Sequence, residues 1–141
     1  MTPVTLALAL AGLLAGGCST FNRDWRHHAD AAHDELAGLW QGSWQSDANG
    51  HHGGLRCIIS PMQDSRLETR YRATYMGILR FEYSLPVDVE GSAGAYSFTG
   101  QADLGALAGG VYTYSGGVTG TSFRANYQCE RDHGTFRMQR R

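Results

Sequence analysis

From Trp40 onward, apolar and polar side chains alternate with a period of two through nearly all of the remaining chain. The sharpest stretch is Leu67-Glu68-Thr69-Arg70-Tyr71-Arg72-Ala73-Thr74-Tyr75, whose odd positions are mostly aromatic, aliphatic or small while Glu68, Arg70 and Arg72 take even ones. A helix would scatter those charges around its circumference, whereas a strand puts them all on one face. Leu79 to Leu85 repeats the pattern after Gly77, so the two segments read as antiparallel neighbours. Their Arg and Glu residues are then free to pair on a solvated face.

The same alternation predicts further strands over about Trp40–Gln45, Gly54–Ser60, Tyr96–Leu104, Val111–Ser115, Phe123–Cys129 and His133–Met138. Short links rich in turn residues separate them, Asn49-Gly50 being the clearest. The 19 glycines, against three prolines, lie between aromatic runs without a period of three, which suits tight turns and not collagen. With no crossover helices the strands are antiparallel. The expected fold is all-β: a single antiparallel domain, eight-stranded and closed into a barrel that leaves no free edge, with a two-sheet sandwich as the alternative.

The first 17 residues carry no charge, and Val4 to Leu14 is almost continuously apolar. That span falls short of the roughly 20 residues a membrane-crossing helix needs, but fits the apolar core of a signal peptide. Leu14-Ala15-Gly16-Gly17-Cys18 resembles the lipobox of bacterial lipoproteins, with Ala15 where leucine is usual. The resemblance implies cleavage before Cys18, lipidation of its thiol and attachment to a membrane through the acyl chains. Ser19, in place of an inner-membrane-retaining Asp, resembles the pattern for the outer membrane, with the protein facing the periplasm. Residues 1–17 are thus read as signal peptide, 18–38 as a lipid-anchored tether and 39–141 as the β domain. Within the tether, Asp30 to Ala37 can form a short helix that Gly38 ends.

Cys57 and Cys129 remain. Both fall on apolar sides of their strands, and an exported protein permits a disulfide between them, worth about 4 kcal/mol in the chain-entropy picture. Two buried free thiols are the alternative.

A net charge of -1 without a basic stripe argues against nucleic acid as a partner. His51 and His52 lie close to Asp47, His133 is next to Asp132, and Ser60 and Ser65 are near a strand end, but no nucleophile elbow or other context fixes a triad, so no catalytic residue is assigned. His27, His28 and His33 lie among Asp24, Asp30 and Asp34 without a recognised metal-ligand spacing; no metal site and no cofactor is assigned.

Gly42-Ser43-Trp44 ahead of repeated aromatic strands resembles lipocalin and avidin barrels, which implies a small apolar ligand. Trp40, Trp44 and Tyr75 are its first-choice contacts. Gly109-Gly110-Val111-Tyr112 is similar to the Ser-Gly-x-x-Tyr segment of small periplasmic lysozyme inhibitors, with Gly109 for serine and a spacing one residue shorter. Gly109, Gly110, Tyr112 and Tyr114 are accordingly the candidate protein-binding loop. The expected function is that of a non-enzymatic envelope lipoprotein with a structural or protein-interaction role. A carrier of a small apolar molecule and an inhibitor of a cell-wall hydrolase are the alternatives.

Overall fold

The computed structural model describes residues 18–29, 36–62, 66–103, 105 and 110–141. Among these the chain forms a helix α1 (Cys18–Ala29) and the strands β1 (Gly38–Ser46), β2 (His52–Pro61), β3 (Arg66–Tyr75), β4 (Leu79–Ser92), β5 (Ala95–Asp103), β6 (Val111–Thr119), β7 (Ser122–Gln128) and β8 (His133–Arg140). Each strand pairs antiparallel with the next, and β8 returns to β1, so the sheet closes into the expected barrel.

Closure is a matter of side-chain size. The seam runs from Trp40↔Arg140 to Ser46↔Gly134. At Gly42, on that seam, a β-carbon would collide with the carbonyl oxygen of Arg137, so only glycine lets β1 and β8 approach here. Turn chemistry does the rest. The β4–β5 link is the two-residue pair Ala93-Gly94, at φ 54° and 83°, the doubly positive geometry whose twist matches antiparallel strands.

Two strands run further than the alternation indicates. β4 continues through Pro86 to Ser92, because β5 pairs with it only from Val87↔Gly100 onward, where the proline's missing N–H is not needed. β6 passes through Gly116-Gly117 instead of stopping there. A β-carbon at Gly116 would strike the backbone of Arg124 and Ala125, so the glycine admits β7 instead of ending the strand.

Inward-facing residues form one core: Trp40, Leu55, Cys57, Tyr71, Leu85, Phe98, Phe123, Phe136 and Met138 with their neighbours. A second, smaller core lies outside the barrel. Leu39 and Ile58 are cross-strand partners that face outward, and α1 covers them with Phe21 and Trp25, one helical turn apart.

The N-terminal segment is partly helical, as expected, but at other residues than Asp30 to Ala37. The segment taken as a tether is, over Cys18–Ala29, a helix docked on the barrel wall. The expected helix over Asp30 to Ala37 falls largely on residues outside those described, and Leu36 and Ala37 already bend into β1. The outer face of β3 and β4 is also not wet throughout. Arg72 is 3% exposed because α1 lies over it. Arg72 and Glu82 are directly opposite each other, as expected, but their closest approach of 3.7 Å leaves Arg72 Nε and Glu82 Oε1 without hydrogen bonds. Burial raises the pKa of the Glu82 carboxyl against the pull of Arg72. Arg70 is held by Asp24 and by Thr20 Oγ1 at 2.8 Å.

Candidate functional site

The two ends of the barrel differ. At the end where β1 begins, Trp40 is fully buried, its indole N–H donates to the Leu36 carbonyl at 3.0 Å, and the Arg140 guanidinium lies over its ring at 5.2 Å. At the other end, where β1 finishes at Ser46, the inward-facing aromatics Trp44, Tyr75, Phe81, Tyr83 and Tyr112 are only half-buried. This second end forms a mouth with an aromatic inner rim.

One sector of the mouth is built by the β1–β2 and β3–β4 turns. The His51 and Tyr75 rings are 4.8 Å apart between centroids and tilted by 43°, and Trp44 lies 6.1 Å from Tyr75. The indole N–H of Trp44 donates to the Thr74 carbonyl at 2.8 Å. Gly53 makes that bond possible, because a β-carbon there would sit 2.8 Å from Trp44 Nε1 and against the Thr74 carbonyl. Between the two turns opens a cleft of about 520 Å³, lined by His51, His52, Gly53, Thr74, Tyr75 and Met76 with their neighbours. Met76, at φ 57°, and Ile78 cap the β3–β4 turn and are 72% and 81% exposed. Two apolar side chains held out at a turn tip, one of them on a left-handed backbone, are unusual without a function.

Of the three residues expected to touch a ligand, the fold thus brings Trp44 and Tyr75 together and leaves Trp40 at the opposite, closed end. Alternation gave all three an inward direction but could not say at which end each would lie. His51 and Gly53 were not singled out for this cleft; the signal for them is their place beside Asn49-Gly50, directly across the hairpin from Trp44.

The floor of the mouth is phenolic. Tyr71 and Tyr83 stack at 5.2 Å, Tyr83 and Tyr114 at 6.3 Å, and Tyr112 and Tyr114 at 6.3 Å. Removal from water pushes all four hydroxyls to higher pKa, so they remain protonated donors. This corrects the expected protein-binding loop. Tyr112 and Tyr114 point into the barrel, Gly110 precedes β6, and Gly109 lies outside the described residues.

The disulfide is also corrected. Cys57 and Cys129 are separate, buried free thiols. Cys57 pairs with Trp40 near the closed end, whereas Cys129 follows β7 at the mouth, its N–H donating to the Asp132 carbonyl at 2.8 Å. Cys57 is flanked across the sheet by Trp40 and Tyr71 and Cys129 lies past the Gln128↔His133 pair, so the two share no ladder, whereas a disulfide needs Cα atoms within about 7 Å. Burial raises the pKa of the Cys57 thiol strongly and suppresses its thiolate.

The remaining candidates are structural. Ser46 Oγ donates to Asp132 at 2.5 Å and accepts the N–H groups of Ala48 and Asn49, and the Tyr127 hydroxyl donates to Asp132 at 3.2 Å. This network ties the β1–β2 turn to the β7–β8 turn. Among the described residues no three His, Cys, Asp or Glu side chains are placed to hold a metal. The expected signal peptide, the Cys18 side chain and His28 and His33 lie outside the described residues and side chains.

Fold and mouth together define a small eight-stranded up-and-down β-barrel. No protein-family model and no curated protein matches the chain. Among solved structures it is similar to a de novo designed fluorescence-activating β-barrel, with a TM-score of 0.52 and 16% identity over 76% of this chain and 94% of that one. The likeness is one of fold.

Proposed function

We propose that the chain is a non-enzymatic cell-envelope lipoprotein whose barrel binds a small, partly apolar ligand at the mouth. The observation that carries this reading is the close, tilted His51–Tyr75 ring pair, backed by Trp44, on a cleft of about 520 Å³ at one end, while Trp40 closes the other. Small-molecule sites combine apolar walls with a few fixed polar groups, and here the His51 ring and the Thr74 backbone supply the latter. Fluorescence activation belongs to the designed barrel; the argument for binding here rests on the cleft alone.

Titration with Nile red, a neutral apolar dye, tests it. Losing one ring contact is worth about 1.5 kcal/mol or more, so Tyr75→Ala should weaken binding about tenfold, while Trp40→Phe should change it little. Equal binding by wild type and Tyr75→Ala, or none by either, would overturn the cleft as the site.

Attachment through Cys18 rests on Leu14-Ala15-Gly16-Gly17-Cys18, and Ser19 supports the periplasmic face of the outer membrane. Mass spectrometry of protein extracted from membranes should find an acylated Cys18 as the first residue; Cys18 still joined to Gly17 would refute it. The exposed Met76 and Ile78 favour a second reading, in which the same rim docks another envelope protein. Ile78→Ser, outside the lining of the cleft, would then abolish docking and leave Nile red binding intact.

A further inference from the structure

The outer wall carries two directly opposed arginine pairs, Arg56↔Arg72 on β2 and β3 and Arg124↔Arg137 on β7 and β8. Like charges directly opposite on a sheet repel, so each pair needs something to offset it. The first pair shows how this barrel does so. Asn22 Oδ1 accepts from Arg56 at 3.1 Å and from Arg72 at 2.6 Å. The Phe21 ring lies 5.2 Å and 5.9 Å from the two guanidinium carbons, and Glu82 is opposite Arg72. An acceptor oxygen, a flat face and a carboxylate cover the pair.

Nothing comparable covers the second pair. Arg124 and Arg137 are both exposed, and among the described residues neither has an ion-pair partner. Their row on the outer wall continues as Ser43 on one side and Gly117 and Ser97 on the other. The next row is Gln45, Thr135, Asn126, Ser115 and Thr99, and the two rows meet a charge only on β4, at Glu90 and Asp88. Beside it is a cleft of about 350 Å³, lined by Thr113, Ser115, Asn126 and Gln128 and, at its mouth end, by Asp47 and His133, so that a carboxylate bounds the side away from the arginines.

We infer that this wall is a binding surface for an acidic glycan, whose carboxylate or other oxyanion bridges Arg124 and Arg137 while its hydroxyls bond to the neutral side chains beside them. Arginine forks accept oxyanions in bidentate geometry. Uncharged amides and hydroxyls both donate and accept, which matches a sugar ring and neither an apolar surface nor a bare polyanion. Nucleic acid would call for a basic stripe along the wall, and two arginines in a neutral field do not make one. The surface uses none of the apolar residues that α1 covers, and its cleft shares no lining residue with the mouth cleft.

Calorimetric titration of the full chain with oligogalacturonate, its fully methyl-esterified neutral form, a heparin oligosaccharide and single-stranded DNA of matched charge tests the inference. At least one of the two acidic glycans should bind, and Arg124→Gln with Arg137→Gln should weaken it about tenfold or more. Ser115→Ala with Asn126→Ala should weaken it several-fold, and the methyl ester should not bind. Removing the paired charges relieves repulsion, so circular dichroism should show the barrel intact in the arginine variant. Four results would each overturn the inference: no binding of either acidic glycan, full binding by the arginine variant, equal binding of the methyl ester, or DNA binding as tight as glycan binding and indifferent to the Ser115 and Asn126 changes.

Discussion

Replacing Phe21 with alanine should release α1 from the wall without opening the barrel. Phe21 is fully buried against Trp25, Leu39 and Ile58, and three guanidinium groups lie 5.2, 5.3 and 5.9 Å from its ring. Losing roughly 150 Å² of buried apolar surface at ~25 cal/mol per Å² costs about 4 kcal/mol, and a compact denatured state trims that by up to about a third. The three cation–π contacts add about 0.5 kcal/mol each at a partly exposed site. The net loss is about 4–5 kcal/mol, within the range for truncating a buried phenylalanine. Trp25 alone would then hold the helix on its apolar side, so α1 leaves before any strand does. Hydrogen exchange followed by mass spectrometry reads this directly. Protection of amides in residues 18–29 should fall by on the order of 1,000-fold, while strand amides change far less. Wild-type protection across α1 in Phe21→Ala would refute the reasoning. So would an equal fall across α1 and the strands, which would make helix and barrel one cooperative unit.

Other expectations follow from the same geometry. The hydrogen bond from Arg70, followed by the weaker pull of Arg23, holds the Asp24 carboxyl below its ordinary value of 3.8. A carboxyl lowered on folding contributes in full above its unfolded value and loses that contribution as pH falls through the folded one. Protection of α1 should therefore weaken below about pH 3.8, and Asp24→Asn should flatten that limb; an unchanged acid profile would contradict the ion pair. Cys57 should react with iodoacetamide at pH 8 only on unfolding, and non-reducing peptide maps should show the Cys57 and Cys129 fragments separate; linked fragments would contradict the register. Arg137→Glu should turn the exposed like-charge pair into an attractive one, raising stability by about 0.2–1 kcal/mol in urea titrations, with the gain shrinking in salt. No gain at low salt would mean the two guanidiniums do not feel each other. Gly42→Val should cost about 1–3 kcal/mol because the seam has no room for a β-carbon, and an unaltered denaturation midpoint would count against closure at Gly42.

Alternation from Trp40 onward was enough to read eight antiparallel strands and, over Leu67–Tyr75, to place Tyr71 inside and Arg72 outside, because a strand's two faces follow from residue parity alone. It was also enough to send Trp40, Trp44, Tyr75, Cys57 and Cys129 to apolar sides. Parity says nothing about height along the barrel or about what lies beyond the sheet. The ladder decided that Trp44 meets Tyr75 and His51 at the mouth while Trp40 closes the far end, and that Cys57 and Cys129 sit on levels too far apart to join. Packing decided that Arg72 is buried: the outward pair Leu39 and Ile58 needed a cover, α1 supplied it, and the arginines beside them went under. Ile58, an apolar residue on the outward side of β2, was the local hint of that second layer. One strand fixes only the direction of its own side chains, whereas neighbours across a closed barrel are set by register and by whatever helix the outer wall takes up.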